Sequence, residues 1–188
     1  VPADRRAARN GDGMEDRALS SLVEVVLSRA WRPDSTIHGD EHWRCVAATG
    51  LALAPSVGEV DRTLVFCFGL LHDTRRVSDS IDPEHGARAA SFAEELHREG
   101  VLRLEHARIA LLVEALEHHS AGLVSSDRTT GTCWDADRLH LPRVSIQLRP
   151  DLLSTRASRG RPPLAAAALL RSDGPPSWAV LASSAASG

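Results

Sequence analysis

Lysine and tyrosine are absent from this sequence of 188 residues, and methionine and cysteine are scarce. All 22 basic side chains are therefore arginines, and neither a lysine nor a tyrosine can take part in catalysis. The three cysteines, Cys45, Cys67 and Cys133, are widely spaced and predict neither a disulfide framework nor a paired-cysteine metal motif. No apolar run reaches the roughly 20 residues that a membrane-spanning helix needs.

Charge and composition exclude further classes of protein. A formal net charge of −3 gives no general attraction to nucleic acid or to an anionic membrane, so we expect neither as a partner. The first residues are polar and lack the apolar segment of a signal peptide, which predicts a cytoplasmic, reduced protein. Residues 1–13 precede the single methionine and are predicted to be a disordered extension.

Apolar residues recur with helical spacing in five segments, and no segment gives a strong strand signal. The sequence therefore predicts an all-α protein, a compact bundle of about five to seven helices within residues 14–159. Residues 160–188 are rich in alanine, serine and proline and are predicted to be a flexible tail, with at most a turn or two of helix.

The third helical segment, LVFCFGLLHD, is apolar on all sides until it ends in His72 and Asp73. A helix of this composition belongs at the centre of a fold. The alternative is a short buried strand, but the helical segment is predicted to run from about Glu59 to Asp73, and that length favours a helix. Two strong metal ligands therefore follow directly on a segment that is predicted to be buried.

Further histidines and aspartates fall on the inward faces of the predicted helices. Each shares its face with apolar residues three, four or seven positions away, so each is aimed at the core. On the last helix this phase selects Asp137, which shares a face with Trp134, over Asp135. The inward set comprises His42, His72 with its neighbour Asp73, His85, His119 and Asp137.

Each of these residues, taken alone, could be a hydrogen-bonded core residue. Five segments that each aim such a group inward favour a shared partner, because unpaired buried ionisable groups are costly. A metal ion is the simplest shared partner. Several imidazoles with two carboxylates suit one or two divalent transition metals (Mn, Fe, Co, Ni or Zn) better than Ca or Mg.

The order His, then His-Asp, then a distant Asp resembles the pattern of the HD-domain superfamily of metal-dependent phosphohydrolases. The match covers about residues 35–157, with His42 in HGDEHWRCV, His72-Asp73 in LLHDTRR and Asp137 in WDADRLHL. The motifs are also similar to those of a group of small bacterial HD-domain proteins. The resemblance implies an HD-type helical domain over residues 14–159 that hydrolyses a phosphoester or phosphoanhydride, with a nucleotide as the expected substrate and a metal-bound hydroxide as the nucleophile.

Two further segments, EHGARAA and HHSAG, resemble the binuclear branch of that superfamily. They imply that His85 and His119 hold a second metal, while Asp73 bridges it to the first and takes part in catalysis. Paired metals lie about 3.5–4 Å apart, so these ligands must crowd together. We therefore expect His85 and His119 within about 8 Å of His72 and Asp73.

Arginines must carry the charge of a bound phosphate, because the chain has no lysine. Arg75 and Arg76 follow the His-Asp pair directly, and Arg138 follows Asp137, so all three are candidates for binding substrate. The alternative for the arginine pair is an exposed helix end, where cations are favoured anyway.

Three neighbouring residues are weaker candidates. His38 and His118 could act as acids or support the ligands, or could be a loop histidine and a surface histidine. Trp43 could stack on a base, although packing beside a ligand-bearing helix is the commoner role for tryptophan.

Two rival functions and one structural alternative remain open. An HD-fold di-iron oxygenase resembling myo-inositol oxygenase would use nearly the same ligands, and an HD domain can bind a nucleotide without turnover. A metal-free helical domain is the remaining alternative. The sequence does not fix the substrate or the oligomeric state.

Overall fold

A computed structural model describes residues 4–187 of the chain, with side chains from residue 15 onward. Within those residues it contains eight α-helices and no strand, which confirms the prediction of an all-α bundle. No helix in the described part of the chain is both long and apolar enough to cross a membrane. The helices are α1 (Asp4–Arg29), α2 (Asp40–Val57), α3 (Arg62–Leu71), α4 (His85–Arg98), α5 (His106–His118), α6 (Arg128–Arg138), α7 (Arg161–Asp173) and α8 (Trp178–Ala186), and two short 3-10 helices cover Leu141–Val144 and Pro150–Leu152.

Helix α3 lies at the centre of the bundle, as its apolar composition predicts. Every residue from Thr63 to Leu71 is buried, and α2, α5, α6 and α8 pack around it. The helix begins later than residue 59 because the Asp61 side chain caps it and accepts a hydrogen bond from the Leu64 amide. Burying α3 on all sides holds its carboxyl end, with His72 and Asp73, inside the fold.

Gly69 allows α2 and α3 to cross at close range. A Cβ atom at this position would lie 2.6 Å from the Ala47 Cβ and 2.7 Å from the Ala47 backbone nitrogen. The missing side chain therefore sets the separation of the two helices. His42 on α2 and His72 after α3 come within reach of each other as a result.

Gly69→Ala is expected to lower the free energy of unfolding by about 1–3 kcal/mol, because overpacking a close contact forces backbone shifts. Chemical denaturation followed by circular dichroism measures the change. Helix propensity alone would give the opposite sign, a gain of about 0.5–1 kcal/mol. Adding Ala47→Gly should not restore stability, because the Ala47 backbone is also in the way. A stabilised Gly69→Ala protein would contradict the close crossing.

The C-terminal segment differs from the flexible tail that its composition predicts. Helix α8 packs against α1 and α3, and it buries Leu181, Ala182 and Ala185 in the main core. The Trp178 indole donates a hydrogen bond to the Asp40 carboxylate at 2.6 Å, which fixes the start of α8 to the start of α2. The apolar residues and small alanines of α8 pack closely, and this explains why a segment rich in alanine, serine and proline is nevertheless ordered.

The N-terminal extension predicted for residues 1–13 is only partly described. Residues 1–3 lie outside the described part of the chain, and the backbone is helical from Asp4 onward as the beginning of α1. Farther along this helix, Leu19, Leu22, Val23 and Val26 are buried as their spacing predicts.

Candidate metal centre

The six residues of the predicted ligand set meet at one point where five helices begin or end. His42 lies in the first turn of α2 and His72 directly follows α3. His85 begins α4, His119 directly follows α5, and Asp137 lies in the last turn of α6. All except Asp137, which keeps limited access to solvent, are buried.

One group of donor atoms forms around His42 and His72. Their Nε2 atoms are 3.3 Å apart. The Asp137 Oδ1 atom lies 3.4 Å from the His42 Nε2 and 3.8 Å from the His72 Nε2. Asp137 is therefore the aspartate of α6 that faces the site, as the helical phase predicts.

A second group forms around His85 and His119. Their Nε2 atoms are 2.8 Å apart, and the Asp73 Oδ1 atom lies 3.5 Å from the His85 Nε2. The other oxygen of Asp73 faces the first group, at 3.6 Å from the His72 Nε2 and 3.7 Å from the His42 Nε2. Asp73 therefore stands between the two groups with one oxygen toward each, and the predicted proximity of the two histidine pairs is confirmed.

Backbone carbonyl groups fix the proton on three of the imidazoles. The Nδ1 atom of His72 donates to the Gly69 carbonyl at 3.1 Å, and that of His119 donates to the Leu116 carbonyl at 2.7 Å. The Nδ1 atom of His85 donates to the Asp82 carbonyl in the same way. Because a carbonyl only accepts, each neutral ring must carry its proton on Nδ1 and a lone pair on Nε2.

The positions of these lone pairs show whether the residues are suited to hold a metal ion. The Nε2 atoms of His85 and His119 both act as acceptors, so two neutral rings cannot form a hydrogen bond across their 2.8 Å separation. A cation between the two nitrogens removes the conflict. Metal-bound histidines commonly donate their other N–H to a carbonyl, as these do. The separations within the first group, 3.3–3.8 Å, are close to the about 3.4 Å expected between tetrahedral ligands with bonds of about 2.1 Å, whereas the two nitrogens of the second group are closer together, at 2.8 Å.

The electrostatics of the cluster favour the protonation states that metals require. Burial, helped by Arg143, lowers the pKa of His42 to about 3, and burial also lowers the pKa of His85 and His119. Burial alone would raise the pKa of Asp73, but His72 and the hydrogen bond from His38 hold that pKa well below its usual range. Neutral imidazoles with ionised carboxylates are metal-binding forms, so these buried residues could hold one or more metal ions.

Asp135 lies on the opposite side of α6 and has a structural role. Its buried carboxylate accepts hydrogen bonds from the Ser154 and Thr155 amides, both at 2.7 Å. The Ser158 hydroxyl donates to it as well, at 2.7 Å. Asp135 thereby ties the segment that follows the 3-10 helices to α6.

A cavity of about 830 Å³ opens onto the cluster. Asp73, Asp137, His85 and His119 all contribute to its lining, so the candidate metal site can be reached from solvent. His38 also lines the cavity, and its Nδ1 atom donates to the Asp73 Oδ2 at 2.9 Å. This histidine, a candidate from sequence, is therefore brought to the site.

His118 is not brought to the site. It is half-buried at the end of α5, and within the described residues neither the lining of the cavity nor the group of candidate ligands includes it. Successive helical residues point about 100° apart, so only one of the two adjacent histidines can face the cluster. His119 takes that position.

The three candidate arginines separate into two kinds. Arg76 lines the cavity and donates to the Asp73 Oδ1 at 3.2 Å, and Arg138 lines the cavity beside Asp137. Arg75 turns away, in contrast to the prediction. Its guanidinium donates to the Arg29 carbonyl at 3.0 Å and lies over the Phe92 ring at 4.7 Å, because the chain leaves α3 in a tight turn.

Trp43 cannot stack on a bound base, because its side chain is fully buried and is not part of the cavity lining. One position farther along α2 than the candidate ligand His42, it faces the interior instead of the cavity. The structure therefore corrects this candidate role to packing.

Two residues near the cluster were not found by sequence reasoning. Arg143 lines the cavity, and its Nη2 atom lies 3.2 Å from the His38 Nδ1. His140 is fully buried beside His42, at 6.0 Å between ring centroids. Both follow α6, His140 in a turn and Arg143 in the first 3-10 helix, where the sequence has no periodicity that would reveal an inward direction. For His140, its place three residues after Asp137 was the only available signal.

Comparisons of this chain with protein-family models, curated proteins and solved structures find no significant match. The likeness to the HD-domain superfamily therefore stays a prediction from the motifs. The geometry of the cluster is the main basis for a functional conclusion.

Proposed function

We propose that this chain is a metal-dependent hydrolase of phosphoesters or phosphoanhydrides and a member of the HD-domain superfamily. The observation that carries the proposal is the pair of histidine groups with Asp73 between them, one carboxylate oxygen toward each group. His42, His72 and Asp137 would hold one ion, His85 and His119 would hold a second, and Asp73 would be shared. The ligand types favour Mn, Fe, Co, Ni or Zn.

Bound divalent ions would lower the pKa of a coordinated water and offset the charge of the phosphate group. The chain itself supplies orientation. The carbonyls of Gly69, Asp82 and Leu116 hold three of the imidazole rings in place. His38 holds a proton on the Nδ1 atom that faces Asp73, where it can steady that carboxylate or serve as an acid.

The arginines around the cavity support a phosphate-bearing substrate. Arg76, Arg138 and Arg143 all line it, and two of them lie within 3.2 Å of Asp73 or of His38. Guanidinium groups form forked hydrogen bonds with phosphate oxygens, so the two that reach Asp73 and His38 suit an anionic substrate. The resemblance adds a nucleotide as the expected form of that substrate.

The rival functions are separated by assay. A di-iron oxygenase would share the ligands but would consume O₂, whereas hydrolysis requires none. Protein reconstituted with each candidate metal is expected to release phosphate from one class of ester or anhydride at the same rate with and without oxygen. If the protein binds a nucleotide but no metal-loaded form hydrolyses it, the non-catalytic alternative would be favoured.

Arg76→Met is expected to lower kcat/KM about 10- to 150-fold, because one charged hydrogen bond to the substrate contributes about 1.5–3 kcal/mol. Phosphate release with the metal-loaded protein measures the change, and metal content is determined in parallel to confirm that the ions remain.

The neighbouring variant Arg75→Met is the matched control. It removes the same charge from a side chain that packs on Phe92, so kcat/KM should stay at the wild-type value. Equal losses in the two variants would contradict a role of Arg76 in the cavity.

A further inference from the structure

Exposed aliphatic side chains gather at the mouth of the cavity. Among residues 15–187, three of the large hydrophobic side chains that are clearly exposed line this cavity, and Ile81 is 93% exposed. We call these three residues, Ile37, Ile81 and Ile146, the aliphatic rim. Val77, Leu123 and Val124 are exposed within two residues of other lining positions. Single exposed apolar residues are ordinary, but a group of them around one opening indicates a binding surface.

Four further lining residues are aliphatic, among polar ones such as Ser145 and Gln147. Leu141, Val144, Leu148 and Leu152 are part of the lining and are only partly exposed. In the described part of the chain no phenylalanine or tryptophan lines the cavity, and the sequence has no tyrosine. A nucleobase would therefore find no aromatic carbon ring to stack on.

Two of the arginines that line the cavity lie close to the candidate metal site, while Asp79 and Arg149 line the cavity together with the aliphatic side chains. Arg76 contacts Asp73 directly, and Arg143 reaches His38, so their positive charge lies beside the candidate metal ligands. The aliphatic rim is open to solvent. A phosphate group fills little of a cavity of about 830 Å³, so most of this volume is available to the rest of the substrate.

We propose that the substrate of this site is the phosphate ester of an aliphatic alcohol, with the phosphate at the arginines and the carbon chain along the aliphatic rim. This rests on the proposed hydrolase function and narrows its substrate, in place of the nucleotide that the resemblance implies. In the reaction, the oxygen of water bonds to phosphorus while the ester P–O bond breaks. The alcohol oxygen leaves with that electron pair and takes up the one proton that the attacking water gives up, which yields inorganic phosphate and the free alcohol.

Titration calorimetry on the metal-loaded full chain tests the proposal with n-alkylphosphonates, which cannot be hydrolysed at their P–C bond. Chains from methyl to hexyl stay monomeric in solution. Each added CH₂ should tighten binding about twofold to fourfold, since full burial of a CH₂ gives about 0.8 kcal/mol. The hexyl compound should therefore bind at least about 30-fold more tightly than the methyl compound and more tightly than adenosine monophosphate.

The double variant Ile81→Ser/Ile146→Ser should remove most of this dependence on chain length while methylphosphonate binds as before. The matched control, Leu169→Ser/Val180→Ser, alters two exposed side chains on α7 and α8 that do not line the cavity, and it should keep the full dependence. The proposal would be overturned if both double variants lost the dependence of affinity on chain length to the same extent, or if the wild type showed no such dependence. Tighter binding of adenosine monophosphate than of the hexyl compound would overturn it as well.

Three other outcomes have distinct meanings. Chain-dependent binding without hydrolysis of any alkyl phosphate would refute the hydrolase and leave the binding proposal standing. Rim-dependent binding of lipid vesicles, but not of monomeric phosphonates, would make the rim a membrane contact and overturn the substrate proposal. If the wild type self-associates and only the rim variant does not, the rim would be a contact between two copies of the chain, and the substrate proposal would be overturned as well.

Discussion

Asp73→Ala is expected to release all bound transition metal and to abolish hydrolysis. The carboxylate faces both histidine groups, and each oxygen lies 3.5–3.7 Å from an imidazole nitrogen. Its removal takes one ligand from each group and leaves four imidazoles with one carboxylate. The measurement is plasma mass spectrometry of protein purified without chelator or nickel affinity. The wild type should carry near two Mn, Fe, Co, Ni or Zn ions per chain.

Asp79→Ala is the matched control for this experiment. Its carboxylate also lines the cavity, but it pairs with Ser35 and Arg32 and takes no part in the cluster. Metal content should therefore stay at the wild-type value. About one ion per wild-type chain would limit the site to one group and reduce the other histidines to structural or substrate roles. Wild-type protein without metal after reconstitution would contradict the metal centre and with it the enzyme.

Removing the residues after Arg159 is expected to destroy cooperative unfolding. The deletion exposes core side chains on α1 and α3 and takes away Leu181, Ala182, Ala185 and Ala167, all buried. A buried leucine alone contributes about 2–5 kcal/mol, and the whole stability of a domain is only about 5–15 kcal/mol. Thermal unfolding followed by circular dichroism should show no sharp transition for the shortened chain.

Single substitutions on the exposed and buried faces of these helices test whether core packing by the segment is what stabilises the fold. Leu169→Ser and Val180→Ser alter exposed residues and should change the free energy of unfolding by no more than about 0.5 kcal/mol. Leu181→Ala should cost about 2–5 kcal/mol. A shortened chain that unfolds as cooperatively as the wild type would show that the C-terminal helices are dispensable.

The helices that carry the site are predictable from sequence because their apolar faces are long and regular. The inward direction of His42, His72, His119 and Asp137 follows from that periodicity, and the structure places each of them at the cluster. Position on a helix face is a local property, so one sequence is sufficient to read it.

Other parts of the site depend on long-range packing and could not be read locally. Arg75 and Arg76 are adjacent in sequence, yet in the turn after α3 the Arg75 side chain packs on Phe92 and the Arg76 side chain contacts Asp73. Arg143 arrives on a 3-10 helix with no amphipathic pattern. The alanine-rich segment after residue 160 has the composition of a disordered chain, and its order comes from tertiary contacts, including the packing of α8 against α1 and α3 and the hydrogen bond from Trp178 to Asp40.

The convergence of five helix termini has a consequence for how this protein would respond to its surroundings. No two of those helices could be pulled apart without breaking a ligand set, so a bound ion would act as a removable cross-link of the native state. Stability would then follow the free concentration of that ion: at 100 times its dissociation constant, ligation adds about 2.7 kcal/mol. A low free concentration of the metal would therefore lower the stability of the folded chain as well as abolish the proposed hydrolysis.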